Sequence, residues 1–257
     1  MSDAWHRIRG WLAAGLADYR RVAFASTLHG LLFVVGAALI VAIGWRHSGL
    51  LAGAFSGFVL VAPVLVTGFH ELSRRLAADE PLPTLASFAL VDVWRRRGRQ
   101  LTGLGLLLAL IGTAWVGFST LLLRLALGDA ATAEIGVSAF MRELAFGSDG
   151  WIFVWLLAGG MVAAVVFAIS ALSVPMLVER DVPLSQAVRT SVAATGTHPV
   201  EMAMWAAVVM VLVLVGAATV VGLVFVLPLL GHATWHAYRD LVQSPLHPGA
   251  IASGSVR

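Results

Sequence analysis

Five long stretches without charged residues constrain this chain more than any other feature. Each contains at least 24 residues without Asp, Glu, Lys or Arg, and they cover 22–45, 47–70, 100–123, 150–178 and 202–238. The hydrocarbon core of a bilayer is about 30 Å thick and takes about 20 helical residues to cross. Soluble cores do not need repeated runs of that length, and the mean hydropathy of +0.89 agrees. The sequence predicts a polytopic membrane protein.

The spans are expected to be helices, because unpaired backbone groups in lipid cost several kcal/mol each. A transmembrane barrel would show ten-residue segments of alternating polarity, which this sequence lacks. As one helix the 37 residues 202–238 would reach about 55 Å, far more than a membrane core needs. We expect two spans there, with a turn near 215–219. This makes six spans in all, with five as the alternative.

The predicted fold is an all-α polytopic membrane protein with six transmembrane helices and cytoplasmic interfacial elbow helices. Residues 22–242 form the membrane domain, with spans at about 22–45, 48–77, 100–124, 150–178, 200–216 and 219–242. Residues 1–21 are predicted to form a cytoplasmic amphipathic helix, and 243–257 a flexible cytoplasmic tail. The apolar stripe of the first helix is Trp5, Ile8, Leu12, Leu16 and Tyr19.

The two elbows are predicted at 81–99 and 183–199, between consecutive spans. In the second, residues at helical spacing form one face: Leu184, Ala187, Val188, Ser191, Val192 and Thr195. Pro63, Pro175 and Pro228 are expected to permit kinks, because proline frees a carbonyl of the preceding turn. Five glycines are expected to let helices approach closely, namely Gly36, Gly53, Gly57, Gly159 and Gly160.

Arginine asymmetry predicts the orientation, because inner loops carry the excess of basic residues. With the N-terminus inside, only Arg46, Arg124 and Arg142 of the 17 basic residues fall outside. Both termini are therefore expected in the cytoplasm. A weak repeat agrees, since 57–76 aligns without gaps on 222–241 and both segments then end in the same compartment.

Histidines are the main candidates for chemistry, because the sequence has no cysteine and no recognised catalytic signature. His232 and His236 share a helix face, His29 begins the first span and His70 ends the second. Neutral imidazoles at such positions can bind haem b or copper. The alternative is structural, since histidine also occurs at span ends among the aromatic and basic residues of an interface belt.

An inner-face polar cluster is the second candidate, and its members are Glu71, Arg74, Glu179, Tyr238, Arg239 and Asp240. Each group of charges at a helix end contains both signs. The groups are therefore expected to lock helices together, and the alternative is an acid–base ring around an inner cavity. No charge lies in the middle of a predicted span, which argues against an ion-coupled pump.

Three segments carry a resemblance: 70–81, 173–205 and, most specifically, "GLVFVLPLLGHATWHAYRDLV" at 222–242. On these the chain resembles, over nearly its whole length, a family of bacterial predicted integral membrane proteins. Some members carry a cytochrome c oxidase subunit label. The resemblance implies a respiratory association.

The expected function is that of a non-catalytic accessory, assembly or subunit-like partner of a larger bacterial inner-membrane complex. Its partners are then the lipid bilayer and another membrane protein or a second copy, and no nucleic acid is expected. One alternative is a haem- or copper-binding protein that uses the histidines. Another is a small-solute or lipid transporter with a vestibule lined by Glu71 and Glu179.

Overall fold

A computed structural model describes residues 2–46, 66–82, 87–127, 150–219 and 221–243. Every regular element in these ranges is an α-helix. In chain order they are α1 (Ser2–Arg21), α2 (Ala23–Arg46), α3 (66–77), α4 (Ser87–Leu127), α5 (Trp151–Ser170), α6 (Ser173–Glu179), α7 (Leu184–Thr197), α8 (Pro199–Thr219) and α9 (Leu223–Gln243). Most of the predicted second span, nearly all of the tail and most of the predicted outer loop 125–149 lie outside the described residues.

Three helices within the described ranges are long and apolar enough to cross a membrane, namely Ala89–Leu122, Trp151–Glu179 and Pro199–Thr219. They overlap the predicted spans 100–124, 150–178 and 200–216. The all-helical membrane architecture is therefore confirmed for this part of the chain. α2 contributes a shorter apolar helix, Ala23–Gly36. The count of six spans stays a prediction.

Helix α9, predicted as a span at 219–242, is the central helix of the structure. It packs against α1, α2 and α8, and much of its surface is buried inside the protein. The turn before it joins Thr219 to Leu223, slightly later than predicted. The Thr219 hydroxyl closes this turn by accepting a 3.0 Å hydrogen bond from Gly222 N–H. The C-terminal half of α9 carries its polar residues and faces other helices.

Glycines at the helix crossings allow this close packing. A Cβ at Gly15 of α1 would lie 2.6 Å from the backbone nitrogen of Ala233, and one at Gly231 would lie 2.6 Å from Phe69. Gly30 of α2 lies against the carbonyl oxygen of Val224, which Pro228 leaves without its usual helical donor. At each of these crossings one of the two helices has a glycine, which lets α1, α2 and α3 approach α9 closely.

The glycines singled out from the sequence behave differently. Gly159 lies against the indole of Trp115, and a Cβ built at Gly159 would be 3.1 Å from the ring. Gly36 and Gly160 have open space where a Cβ would be, so no described residue of the chain makes the predicted close approach at these two. Gly53 and Gly57 lie outside the described residues. Composition alone does not distinguish a glycine at a crossing from one on an open face.

The buried face of α1 differs from the predicted apolar stripe. Of the stripe residues, Ile8 is buried and Trp5 is 46% exposed, and the others are half-buried, namely Leu12, Leu16 and Tyr19. The buried positions are Ala4, Ile8, Trp11, Gly15 and Asp18. The face that packs inside the protein is chosen by the fit to α9, which meets a small residue at Gly15 and a carboxylate at Asp18.

The first predicted elbow, 81–99, is not a separate helix. Residues from Ser87 continue through the arginine run into the span, and α4 is one helix of 41 residues, about 60 Å long. Arginine favours helix and Gly98 alone does not stop it. At the second elbow the structure has α7, where Ala187 and Ser191 are buried as predicted but Val192 is 45% exposed.

The predicted kink before Pro175 is present as a break between α5 and α6. Ser191 of the elbow helix α7 stabilises this break. Ser191 Oγ donates a 2.7 Å hydrogen bond to the Ala168 carbonyl and accepts one of 3.2 Å from Leu172 N–H. A side chain thus satisfies backbone groups that the interrupted helix leaves unpaired. At Pro228 α9 continues without a break.

Candidate functional site

A buried chain of hydrogen bonds joins four helices at the centre of the protein. His232 of α9 lies between two serines, with its Nε2 2.8 Å from Ser26 Oγ and its Nδ1 2.8 Å from Ser73 Oγ. Ser73 Oγ is 2.7 Å from Asp18 Oδ2, and His236 Nε2 is 2.8 Å from the same oxygen. All five side chains come from α1, α2, α3 and α9. We call this set the polar chain.

The single proton of each hydroxyl fixes the direction of the polar chain. Asp18 as a carboxylate only accepts, so Ser73 must donate to it. Ser73 then accepts from His232, which places the imidazole proton on Nδ1 and leaves Nε2 to accept from Ser26. His236 donates its Nε2–H to Asp18. Every proton in the polar chain therefore points toward one carboxylate.

Asp18 is the only carboxylate in the polar chain and lies on α1. Its burial raises the pKa, but the hydrogen bonds from His236 and Ser73 outweigh burial and hold the pKa below its usual range. The carboxylate is therefore charged at neutral pH. A charged group that is 8% exposed is stable here because its donors replace water.

Two further histidines lie close to the polar chain and each has one nitrogen without a partner. His29 Nδ1 lies 3.0 Å from the Ala25 carbonyl and donates to it, so its Nε2 carries a lone pair. His70 bonds to the backbone of Gly231. His29 Nε2 and His70 Nδ1 are both buried and have no hydrogen-bond partner. Each lies one turn from a serine of the polar chain.

The structure separates the four predicted ligand histidines into two kinds. Both ring nitrogens of His232 are occupied by serines, and His236 is held by Asp18. The nitrogens that have no partner belong to His29 and His70. No group of three or more potential metal ligands occurs among the described residues.

Glu71 is fully buried and bound by three arginines. Its carboxylate accepts 2.8 Å bonds from Arg74 Nε, Arg75 Nε and Arg96. Arg74 and Arg75 also pair with Glu80 and Asp92, respectively. These contacts join α3 to α4 and act as a lock. Because Glu71 has no exposed side-chain surface, it does not line the vestibule expected of a transporter.

Glu179 has its own partners at the end of α6. Tyr238 donates a 2.6 Å hydrogen bond to Glu179 Oε2, and Gln243 and Arg180 bind the same oxygen. α6 is thereby tied to α9. The predicted inner-face polar cluster is thus several separate groups of contacts, and Glu71 and Glu179 share no partner.

Asp240 and Arg239 belong to a third group, in an open pocket between α1 and α9. The pocket has a volume of about 420 Å³ and is lined by Gly10, Trp11, Ala14, His236, Arg239, Asp240 and Gln243. Asp240 Oδ2 accepts 2.9 Å hydrogen bonds from Arg7 Nε and Trp11 Nε1. His236 connects this pocket to the polar chain.

Sequence reasoning missed Asp18, Ser26 and Ser73. A serine has no distinctive spacing, and Asp18 lies off the predicted apolar stripe of the first helix. The available signal was the serine-rich and glycine-rich character of the surfaces facing α9, where buried polar groups need partners. This signal is weak without knowledge of which helices meet.

Residues 50–179 match the model of a family described as predicted integral membrane protein (DUF2189). The matched range includes the Glu71 lock and helices α4, α5 and α6. The resemblance had been expected over nearly the whole chain, but its most specific motif, 222–242, lies beyond the match. Neither a curated protein nor a solved structure matches the sequence.

Proposed function

This chain belongs to the DUF2189 family of predicted integral membrane proteins, and we propose that it is a non-catalytic partner of a larger complex in the bacterial inner membrane. The respiratory oxidase is the complex we propose first, on the resemblance given above. The observation that carries the proposal is a face of α5 that stays exposed in the part of the protein that the structure describes. Helix α5 is held on one side and open on the other.

The held side of α5 faces α4. Trp155 donates a 2.6 Å hydrogen bond to Ser119, and Trp115 packs against both Trp155 and Gly159. No residue in the most apolar 18-residue stretch of this helix is buried inside the protein. The open side carries Phe153, 73% exposed, and Leu157, 67% exposed.

Gly160 and Ala164 lie on the exposed side of α5, one turn apart. Small residues at this spacing let a second helix approach closely, and in lipid such packing replaces the hydrophobic effect as the force that joins helices. Gly160 has nothing within 4 Å of a built Cβ. This supports a helix from another chain as the neighbour of α5.

The saturated carboxylates support a non-catalytic role. Asp18, Glu71, Glu179 and Asp240 each accept hydrogen bonds from two or more side chains. A general acid or base needs a group that is free to exchange a proton with substrate. These groups instead join helices.

The contact between α1 and α9 supports the proposed topology. Arg7, near the start of α1, binds Asp240 near the end of α9, while Gly15 contacts Ala233. The two helices are antiparallel, so the N-terminal end of α1 lies beside the C-terminal end of α9. An even number of crossings, with both termini in the cytoplasm, agrees with this arrangement.

Photo-crosslinking tests the proposal in the native membrane. A photoreactive side chain at Leu157 should give one discrete adduct with a different membrane protein, which mass spectrometry identifies. Gly160→Leu should abolish this adduct by blocking close approach. Gly36→Leu is the matched control, because Gly36 is also open but has large apolar residues four positions away on each side.

Other outcomes contradict the proposal. Adducts with lipid alone mean that α5 faces the bilayer. An adduct of twice the chain mass alone means that the neighbour is a second copy. An adduct that survives Gly160→Leu places the partner elsewhere on the surface.

A copper-binding function is the second candidate, favoured by the unpartnered nitrogens of His29 and His70. Each imidazole has its tautomer fixed by a backbone contact, as metal ligands commonly do. Gly68 lies against the His29 ring, where a Cβ would be 2.8 Å from Nε2. This tight packing favours a single ion over haem b.

An optical spectrum and metal analysis of gently solubilised protein test this candidate. Copper at about one equivalent per chain should be lost in the double variant His29→Phe, His70→Phe. His198→Phe, at the half-buried residue that follows α7, is the control. Metal-free, colourless protein that also fails to take up copper excludes the candidate.

A further inference from the structure

We propose that the pocket between α1 and α9 binds a phosphate group, carried either by a small soluble ester or by a phospholipid headgroup. The proposal does not depend on a partner complex. It rests on the charge balance of the pocket, its donors and its floor.

The charge balance leaves one cation of the pocket unused. Asp240 is the carboxylate of the pocket, and both Arg7 and Trp11 donate to it. Arg239 lines the same pocket, is exposed and makes no ion pair or hydrogen bond with any residue that the structure describes. A guanidinium binds two phosphate oxygens at once, which makes an anion its natural partner.

His236 adds a second polar side chain on the pocket wall. Its Nε2 is fixed by Asp18, and its Nδ1 makes no hydrogen bond within the described part of the chain. The polar chain thereby holds the ring in position for a ligand.

The floor of the pocket is made by small residues. Gly10 and Ala14 lie one turn apart on α1, and a Cβ built at Gly10 meets nothing within 4 Å. The volume of about 420 Å³ lies within the range of small-molecule sites and exceeds what inorganic phosphate fills. An ester or a headgroup fits this size better.

The test measures binding to the purified full chain in uncharged detergent. Glycerol 3-phosphate is the soluble probe, with glycerol as its uncharged counterpart. The lipid probe is a nanodisc of phosphatidylcholine with or without phosphatidylglycerol. We expect saturable thermal stabilisation by at least one phosphate probe and none by glycerol.

Two variants place the binding in the pocket. Arg239→Gln removes the unused cation, and Gly10→Leu fills the floor without changing charge. Arg239→Gln should weaken the apparent affinity about tenfold or more, the loss expected from a charge-assisted contact. Gly10→Leu should weaken it by about as much, because the new side chain occupies the space of the ligand. Arg9→Gln removes the same charge from the exposed surface of α1 and should change affinity less than about twofold.

The pattern of results distinguishes the sources. Stabilisation by glycerol 3-phosphate alone identifies a soluble ester, and stabilisation by phosphatidylglycerol alone identifies a headgroup. Absence of binding by both probes overturns the proposal. Equal losses in Arg239→Gln and Arg9→Gln also overturn it, because binding would then reflect net charge rather than this pocket.

Discussion

Ser73 donates a 2.7 Å hydrogen bond to Asp18 and accepts one of 2.8 Å from His232. One hydroxyl thus connects α3 to both α1 and α9. Both hydrogen bonds are buried, so no water is available to replace the serine hydroxyl. The stability of the central packing depends on this serine.

Ser73→Ala should lower the free energy of unfolding by about 1–3 kcal/mol, the cost of leaving a buried polar group unsatisfied. The variant deprives both Asp18 and His232 of one partner. Reversible unfolding in mixed detergent micelles measures the change. Ser185→Ala, at an exposed position of α7, should be neutral, and equal effects in the two variants would contradict the role of the polar chain.

Nitrogen NMR of labelled histidine should report the tautomer of His232. The direction of the polar chain places the proton on Nδ1 and leaves Nε2 as the acceptor from Ser26. In Asp18→Asn the carboxylate no longer dictates this direction, and the signal should shift or broaden. A single Nε2–H form in the wild type would show that Ser73 does not donate to Asp18.

Asp18 should make stability sensitive to acid. Its pKa in the folded state lies below its unfolded value of about 3.9. The stabilisation is therefore complete above the unfolded pKa and is lost as pH falls through the lower folded pKa. The difference in unfolding free energy between wild type and Asp18→Asn should shrink over this range.

Asp3→Asn, on the exposed part of α1, is the control for this pH profile. Its difference from wild type should stay small at every pH. A difference for Asp18→Asn that is constant through the acid range would show that the carboxylate is not stabilised by its donors.

Glu71→Gln should be strongly destabilising, by about 3–5 kcal/mol, because it leaves three arginines around a buried neutral group. Glu80→Gln is the matched variant within the same network. Glu80 is 42% exposed and its loss should cost no more than about 1 kcal/mol. Similar costs for both would mean that the Glu71 lock is solvated rather than buried.

Gly15→Ala and Gly10→Ala should change stability in opposite directions. At Gly15 the new methyl group would overlap the backbone of Ala233, costing about 1–3 kcal/mol. At Gly10 the space is open, and alanine should add about 0.5–1 kcal/mol through its higher helix propensity. Thermal unfolding of both variants measures the two stability changes. A stabilising effect of Gly15→Ala would contradict the close crossing of α1 and α9.

The membrane-spanning helices could be predicted because they depend on composition summed over long windows, and the family could be predicted from short motifs. The runs at 150–178 and 202–238 are apolar whatever their neighbours are, and the break before Pro175 follows from a missing donor. The histidines could be identified as candidate ligands, because residue type and spacing can be read from the sequence. Their bonding state could not be assigned, since it depends on which hydroxyls face them.

The sequence by itself determined that this chain is helical and belongs in a membrane, because transfer of its long apolar runs out of water outweighs other terms. Only the tertiary structure decided the roles of α1 and α9. Gly15 and Gly231 permit contacts that no periodicity reveals, and these contacts bury Asp18 beside His232 and His236. The partners of a buried polar group are set by which surfaces meet, and this information is absent from any single helix.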